Sequence, residues 1–177
     1  MSGVSDNENK ELAKEWINEI NPTTVLDVGA GMGIYSILAK QPHQRWTALE
    51  VFYPYVAMFN LKSRYEDIII SDIRYVDYKK IGKFDLIILA DMLEHMTKNE
   101  AKKVLKEALR NSTYTLICFP TIHQEQHAGH EGNDFETHID HWSYDDMKKF
   151  LKSLKTCEIT KTIKGKVLAY FLMETMK

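Results

Sequence analysis

A glycine-rich segment near the N-terminus is the part of the sequence best suited to chemistry. Gly29, Gly31 and Gly33 follow an apolar run that ends at Val28, in the spacing G-x-G-x-G. Glycines between a buried strand and a helix allow a ligand to approach the backbone closely. Ligands of open α/β sheets bind beyond the carboxyl ends of the strands. The segment therefore predicts a ligand site at the end of the first strand, although a tight strand–helix turn would also need these glycines.

Two carboxylates narrow the kind of ligand. Asp27 stands two residues before the first glycine, where it would repel a pyrophosphate but attract an ammonium or sulfonium group. Glu50 lies 21 residues after Gly29, at the end of the second predicted strand, where a carboxylate can accept both hydrogen bonds of a ribose diol. Ile34 occupies the position at which the dinucleotide fingerprint G-x-G-x-x-G requires glycine. Asp27 and Ile34 together disfavour NAD.

The segment 121–142 is the second concentration of reactive side chains. Its five histidines and five carboxylates are His123, His127, His130, His138, His141, Glu125, Glu131, Asp134, Glu136 and Asp140. A loop of this length in a compact domain is usually functional or disordered, and this one follows the fifth strand, so we expect it over the same mouth of the sheet.

Three interpretations of this loop remain open. It could be a lid over a polar acceptor, with one or two histidines as general base. It could bind a metal through pairs such as His123 with His127, or His138 with His141. It could also be a solvated loop without a specific role. No known zinc pattern matches, so the sequence predicts no metal.

The elements that must position these residues alternate between strand and helix. Strands are predicted at 23–28, 45–51, 67–70, 84–90, 114–119, 157–163 and 167–173, and helices at 11–20, 34–40, 54–61, from 97 onward and at 143–154. Such alternation is typical of parallel α/β sheets. We therefore expect a three-layer, Rossmann-like α/β fold. Its mostly parallel seven-stranded sheet would have helices on both faces, and the final hairpin would add an antiparallel C-terminal strand at one edge.

Length and composition limit the class of protein. The 177 residues predict a single domain over 1–177, with the hydrophobic and charged fractions of an ordinary globular protein. The net charge of −2 lacks the basic excess of a general nucleic-acid binder. Cys118 and Cys157 fit no zinc-finger spacing. Because the sequence has neither an apolar signal core nor an apolar run of about 20 residues, we expect a cytoplasmic protein without a membrane span.

The segment 25–33, with Asp27 and its three glycines, resembles motif I of the class I S-adenosylmethionine (SAM)-dependent methyltransferases. The segment Asp91-Met92-Leu93-Glu94-His95 likewise resembles the "LEH" segment of that family. The resemblance implies SAM as cofactor, with the methionine part beside motif I, the ribose at Glu50 and the adenine at Asp72. An aspartate after a strand also fits a turn or a helix cap. The implied cofactor-binding residues are Asp27, Gly29, Ala30, Gly31, Gly33, Glu50, Val51, Asp72, Ile73, Asp91 and Met92.

The implied reaction is an in-line transfer of the methyl group from SAM, for which the protein mainly positions and desolvates the reactants. A hydroxyl acceptor needs a base, and histidine suits that role near neutral pH. We predict His123 or His95 as the base, with His141 as the next candidate. Glu94 and His95 could instead be solvated loop residues or groups that orient the loop.

Two sequence motifs that this chain lacks restrict the class of acceptor. Neither the (N/D)PP(Y/F) motif of amino-directed nucleic-acid enzymes nor a Pro-Cys nucleophile is present: 90–93 reads ADML, and Thr121 follows Pro120. We expect O- or N-methylation of a small polar acceptor, such as a sugar or another metabolite. The alternatives are a SAM-binding protein without transfer activity, and an RNA or protein methyltransferase.

Overall fold

Seven strands form one twisted sheet in this protein, whose structure is a computed structural model that describes residues 7–122, 126 and 132–176. The strands are β1 (Thr24–Val28), β2 (Arg45–Glu50), β3 (Asp67–Ile70), β4 (Phe84–Ala90), β5 (Ser112–Pro120), β6 (Cys157–Lys164) and β7 (Leu168–Thr175). Their order across the sheet is β3-β2-β1-β4-β5-β7-β6. The first five are parallel, and β7 runs antiparallel to both of its neighbours. The predicted mostly parallel, seven-stranded sheet with an antiparallel last strand is confirmed.

Helices cover both faces of this sheet. They are α1 (Lys10–Ile20), α2 (Ile34–Ala39), α3 (Pro54–Met58), α4 (Tyr78–Ile81), α5 (Lys98–Arg110) and α6 (Tyr144–Ser153). Successive residues of a strand point to opposite faces. Leu86 and Ile88 of β4 accordingly pack with α1, α2 and α3, while Ile87 and Leu89 pack with α4, α5 and α6. The predicted helices on both faces are confirmed. No helix in the part of the chain described here is long and apolar enough to cross a membrane.

The position of β7 differs from the prediction. The final hairpin does not place its antiparallel strand at the edge: β7 lies between β5 and β6, and β6 is the edge strand. The burial pattern gives the reason. Residues 168–173 of β7 are all buried, as a strand covered on both faces requires, whereas buried or half-buried and exposed residues alternate along β6.

Local sequence signals determine where α5 and α6 begin. The Thr97 hydroxyl accepts a hydrogen bond from the Glu100 N–H (3.3 Å), and the Glu100 carboxylate accepts one from the Thr97 N–H (2.9 Å), which completes the predicted capping box. Ser143 caps α6 by accepting from the Asp146 N–H (3.1 Å). Both helices therefore start where their cap residues predict. Helix α5 follows directly after the segment 91–96 that leaves β4.

Candidate functional site

A cavity of about 680 Å³ lies at the carboxyl ends of β1, β2 and β4. Most of the residues that the resemblance implies for cofactor binding line it: Asp27, Gly29, Ala30, Gly31, Glu50, Val51, Asp72, Ile73, Asp91 and Met92. Parallel strands bring their carboxyl ends to one edge of the sheet, so loops distant in sequence meet there. The volume lies within the range of about 300–1,000 Å³ that is usual for small-molecule sites.

The glycine loop forms one wall of the cavity with its backbone. Gly29 and Gly31 adopt left-handed conformations (φ +66° and +49°), which side chains other than glycine rarely tolerate. The Gly29 N–H donates to the Leu49 carbonyl (2.8 Å), which holds the loop against β2. A Cβ at Gly29 would lie 3.4 Å from the Met92 Cβ, so the two loops approach each other closely.

Glu50 is a buried carboxylate positioned by two backbone donors. Its Oε2 accepts from the Gly31 N–H (2.9 Å) and its Oε1 from the Phe52 N–H (2.9 Å). Burial raises the pKa of Glu50, and the two backbone hydrogen bonds act in the opposite direction. Each carboxylate oxygen has more than one lone pair, so Glu50 can still accept from a ligand while it holds the loop.

Asp27 lies beneath the glycine loop and is almost completely buried. The Tyr65 hydroxyl donates to its Oδ2 (2.5 Å). Burial, with a further contribution from the charge of Glu50, raises the pKa of Asp27 from the usual 3.8 to about 7, and the Tyr65 hydrogen bond opposes this rise. A cationic group bound nearby would favour the ionised form.

We expect this raised pKa to make the stability of the free protein depend on pH. Between pH 3.8 and about 7, folded Asp27 holds a proton that the unfolded chain has released, so the free energy of unfolding falls as the pH rises through this window. Asp27→Asn keeps the shape but removes this proton exchange. In urea unfolding, the free energy of unfolding of the wild type should fall between pH 5 and pH 7 by about 2 kcal/mol more than that of Asp27→Asn. Half-exposed Asp67 on β3 provides the control, since Asp67→Asn should fall as the wild type does, whereas equal losses in all three proteins would contradict the assignment.

Asp72 combines a place in the cavity with a structural role. It caps the short 3₁₀ helix Ile73–Tyr75 by accepting from the Arg74 N–H (2.9 Å), and it pairs with the Arg74 guanidinium (2.6 Å). Arg74 also contacts Glu100 of the capping box (3.1 Å). The cap role left open by the sequence is therefore present, and contact with adenine stays a prediction.

The segment after β4 forms the opposite wall. Asp91 has a left-handed backbone (φ +48°), an uncommon and strained conformation for a residue other than glycine, which turns the chain directly at the cavity. Glu94 is buried, and its carbonyl accepts from the N–H groups of Ile139 (2.8 Å) and Asp140 (3.2 Å). Burial, and then the charge of Asp91, raises the pKa of Glu94, whereas burial lowers the pKa of His95.

The three predicted bases have different positions. His95 lines the cavity, and its Nδ1 lies 3.2 Å from the Thr137 carbonyl, which leaves Nε2 as the proton-accepting nitrogen. His141 does not line the cavity, and its backbone N–H donates to its neighbour Asp140 (2.9 Å). His123 lies outside the described residues. Of the two predicted bases that the structure describes, only His95 lies at the cavity, and its role as base stays a prediction.

Gly33 also lies away from the cavity lining, unlike the other implied cofactor residues. It is the N-cap of α2 with φ +67°, and a Cβ there would lie 3.1 Å from the Tyr65 ring. Tyr65 in turn donates to Asp27. Gly33 therefore contributes to the site indirectly, because it leaves room for Tyr65, which donates to Asp27.

The described part of the loop, at 126 and from 132 to 142, contributes residues to the cavity beyond the predicted bases and cofactor-binding residues. Glu136 accepts from the Tyr55 hydroxyl of α3 (3.0 Å) and from the Gln126 amide (3.2 Å), and Asn133 and Phe135 also line the cavity. This stretch spans from the segment after β4 to α3. The only sequence signal for Tyr55 is the aromatic cluster that follows β2.

The N-terminal segment is a second contribution that the sequence did not reveal. The Glu8 carboxylate accepts from the backbone N–H groups of Lys166, Val167 and Leu168 at 2.7–2.8 Å. This contact with the β6–β7 turn brings Asn7 and Lys10 to the cavity wall. No local pattern predicts it, because the partners are about 160 residues apart in sequence.

Comparison with known proteins is consistent with this geometry. Residues 26–111 match the model of the family described as "Methyltransferase domain". The sequence has no significant match among the curated proteins.

Solved structures show the same fold. One is the N-terminal domain of EvdMO1 in the presence of S-adenosylhomocysteine (SAH) and D-fucose (TM-score 0.70, 16% identity, covering 98% of this chain and 85% of that one). Another is a SAM-dependent methyltransferase from Clostridium acetobutylicum (TM-score 0.70, 12% identity, covering 98% of this chain and 93% of that one). A third is magnesium protoporphyrin IX methyltransferase from Synechocystis with bound SAM (TM-score 0.65, 15% identity, covering 93% of this chain and 76% of that one).

Proposed function

We propose that this chain is a class I SAM-dependent methyltransferase with SAM as cofactor, and that its cavity transfers the methyl group to a small polar acceptor. The proposal depends on one observation above all. Glu94, His95 and His138 form a polar wall in the same cavity as Glu50 and the glycine loop. The cavity therefore offers one side for the cofactor and another for an acceptor.

The residues on the cofactor side of the cavity have the chemistry to bind SAM. Glu50 would accept hydrogen bonds from the ribose hydroxyls while its backbone donors keep it in place. Asp27 would attract the positive charge of the methionine part, and Ile73 beside Asp72 would meet the adenine. The lack of a side chain at Gly29 lets the glycine loop lie close to Met92, so that both segments line the cavity with little intervening bulk. Bound SAM supplies an activated methyl group, and these residues hold it in one orientation.

The second side fits an acceptor of limited size. Glu136 is joined to Tyr55, so the described part of the loop narrows the mouth of the cavity. Imidazole and carboxylate groups are suited to hydroxyl or amine acceptors. Two structural relatives are consistent with this class, since one was crystallised with SAH and D-fucose and another is a magnesium protoporphyrin IX methyltransferase.

Transfer of labelled methyl groups tests the acceptor class. The protein would be incubated with methyl-labelled SAM and either the small-molecule or the macromolecular fraction of a cell extract, and both the label and SAH would be measured. We expect label in the small-molecule fraction only. The exposed residue His43 does not line the cavity, so His43→Gln is a control that should behave as the wild type. Label found only in RNA or protein would overturn the proposal for a small acceptor.

A further inference from the structure

Three side chains on the acceptor side of the cavity are arranged as a set of metal ligands. A carboxylate oxygen of Glu94 and one ring nitrogen each of His95 and His138 all lie within 4.8 Å of one another. The two imidazole rings are 5.0 Å apart between centroids and tilted by 57°. A single ion could therefore contact all three groups with small side-chain adjustments, because metal–ligand bonds of this kind are about 2.0–2.2 Å long.

The buried carboxylate of Glu94 has an oxygen that accepts no hydrogen bond from the described residues. The residue is only 5% exposed, and its Oε2 is buried without a hydrogen-bond partner among the described residues. A buried carboxylate oxygen in this state is costly unless it is paired or coordinates a cation. The same carboxyl group supplies an oxygen to the cluster with the two histidines, so a cation bound there would compensate the burial of this carboxylate.

The histidines are held in the manner of ligands. The Nδ1 of His95 contacts the Thr137 carbonyl (3.2 Å), which orients the ring and leaves Nε2 for an ion. Metal-binding histidines usually donate their other N–H to a carbonyl or a carboxylate in this way. His138 is fixed through its backbone, whose N–H donates to the Gln126 carbonyl (3.0 Å).

Backbone contacts also hold the two segments of the cluster together. The carbonyl of Glu94 accepts from Ile139 and Asp140, the residues that directly follow His138. The cluster therefore does not depend on the side chains alone for its shape. A preformed arrangement of this kind lowers the cost of ordering the ligands when an ion binds.

We propose that Glu94, His95 and His138 bind a divalent first-row transition-metal ion. Two imidazoles with one carboxylate suit Mn²⁺, Fe²⁺, Co²⁺ or Zn²⁺, whereas Mg²⁺ and Ca²⁺ prefer all-oxygen sites. Three protein ligands leave coordination positions open, and all three residues line the cavity. The sequence did not indicate this cluster, because the histidine pairs that it suggests lie within 121–142, whereas the cluster joins that loop to the segment after β4.

The role of the ion rests on the proposed function. An acceptor hydroxyl that occupies an open position of the ion loses its proton to solvent more readily. Its oxygen then forms a bond to the methyl carbon as the bond from that carbon to the sulfur of SAM breaks, which yields the methyl ether and SAH. His95 thereby serves as a ligand, in place of its predicted role as general base.

Direct metal titration of the full chain tests the site without reference to activity. After treatment with chelator, the protein would be titrated by calorimetry with Co²⁺, Mn²⁺, Zn²⁺ and Mg²⁺, and Co²⁺ binding would also be followed by visible absorption. We expect one ion per chain, with the transition metals bound more tightly than Mg²⁺. His138→Gln and, independently, Glu94→Gln should each weaken Co²⁺ binding by at least about tenfold. His43→Gln should leave it unchanged.

Parallel measurements separate failure of the site from failure of the proposed function. Far-UV circular dichroism and SAH titration would show that each variant is folded, and His138→Gln should retain wild-type SAH affinity. No metal binding by the wild type, or Co²⁺ affinity unaffected in both variants, would overturn the metal site even if small acceptors are methylated. Metal binding that is lost in the variants, with label found only in macromolecules, would support the ion and overturn the small acceptor.

Discussion

Replacing Glu50 by glutamine is expected to weaken the binding of SAM and of SAH by about 100-fold. The Glu50 carboxylate already accepts from Gly31 and Phe52, and the proposed ribose contacts add further hydrogen bonds to the same two oxygens. Glutamine has one accepting oxygen in place of two and no charge. It therefore cannot hold the loop and accept from both hydroxyls together. Hydrogen bonds to a charged group contribute about 1.5–3 kcal/mol each, which corresponds to the expected factor.

Calorimetric titration with SAM and SAH measures this effect. Glu107→Gln on α5 is the matched control, because Glu107 is exposed and does not line the cavity. Thermal unfolding of both variants would show whether any loss of affinity comes from loss of the fold. Wild-type affinity in folded Glu50→Gln would remove Glu50 from the cofactor site without bearing on the match to the methyltransferase-domain family.

Replacing Gly33 by alanine is expected to lower the free energy of unfolding by about 3 kcal/mol. Part of the loss is conformational, since φ is +67° at this position. The rest is steric, because the new Cβ would lie 3.1 Å from both the Tyr65 ring and its hydroxyl, and 3.2 Å from the Ser36 hydroxyl. Tyr65 is buried between Gly33 and Asp27, so it cannot move without disturbing its contact with Asp27.

Gly132→Ala separates the two contributions. Gly132 also has a positive φ (+76°), but a Cβ there would meet nothing within 4 Å. Its substitution should therefore lose only the conformational part, about 1–2 kcal/mol. Urea unfolding of the two variants beside the wild type measures the difference. Equal losses would show that Tyr65 does not constrain Gly33.

The sequence predicted those parts of the fold that depend on neighbours along the chain. Apolar or β-branched runs identified all seven strands, since the strands inside the sheet are covered on both faces. The capping box at Thr97 placed the start of α5, since its hydrogen bonds span only three residues. The glycines predicted the turn after β1 for a similarly local reason. The order of the strands in the sheet was harder to predict. The edge position of β6 can be recognised only when its alternating pattern is compared with the continuous burial of β7.

Tertiary structure alone decided which distant residues meet at the cavity. Tyr55 contacts Glu136 across 81 residues, Glu8 contacts the β6–β7 turn across about 160, and His138 reaches Glu94 and His95 from another loop. It also showed that Gly33 acts behind the cavity and that His141 lies outside its lining. Such contacts depend on how loops fold back over the edge of the sheet, and no local pattern of charge or periodicity encodes that path. By itself the sequence therefore determined the strands, the glycine turn and the kind of cofactor, while packing of the loops determined which of their side chains line the cavity.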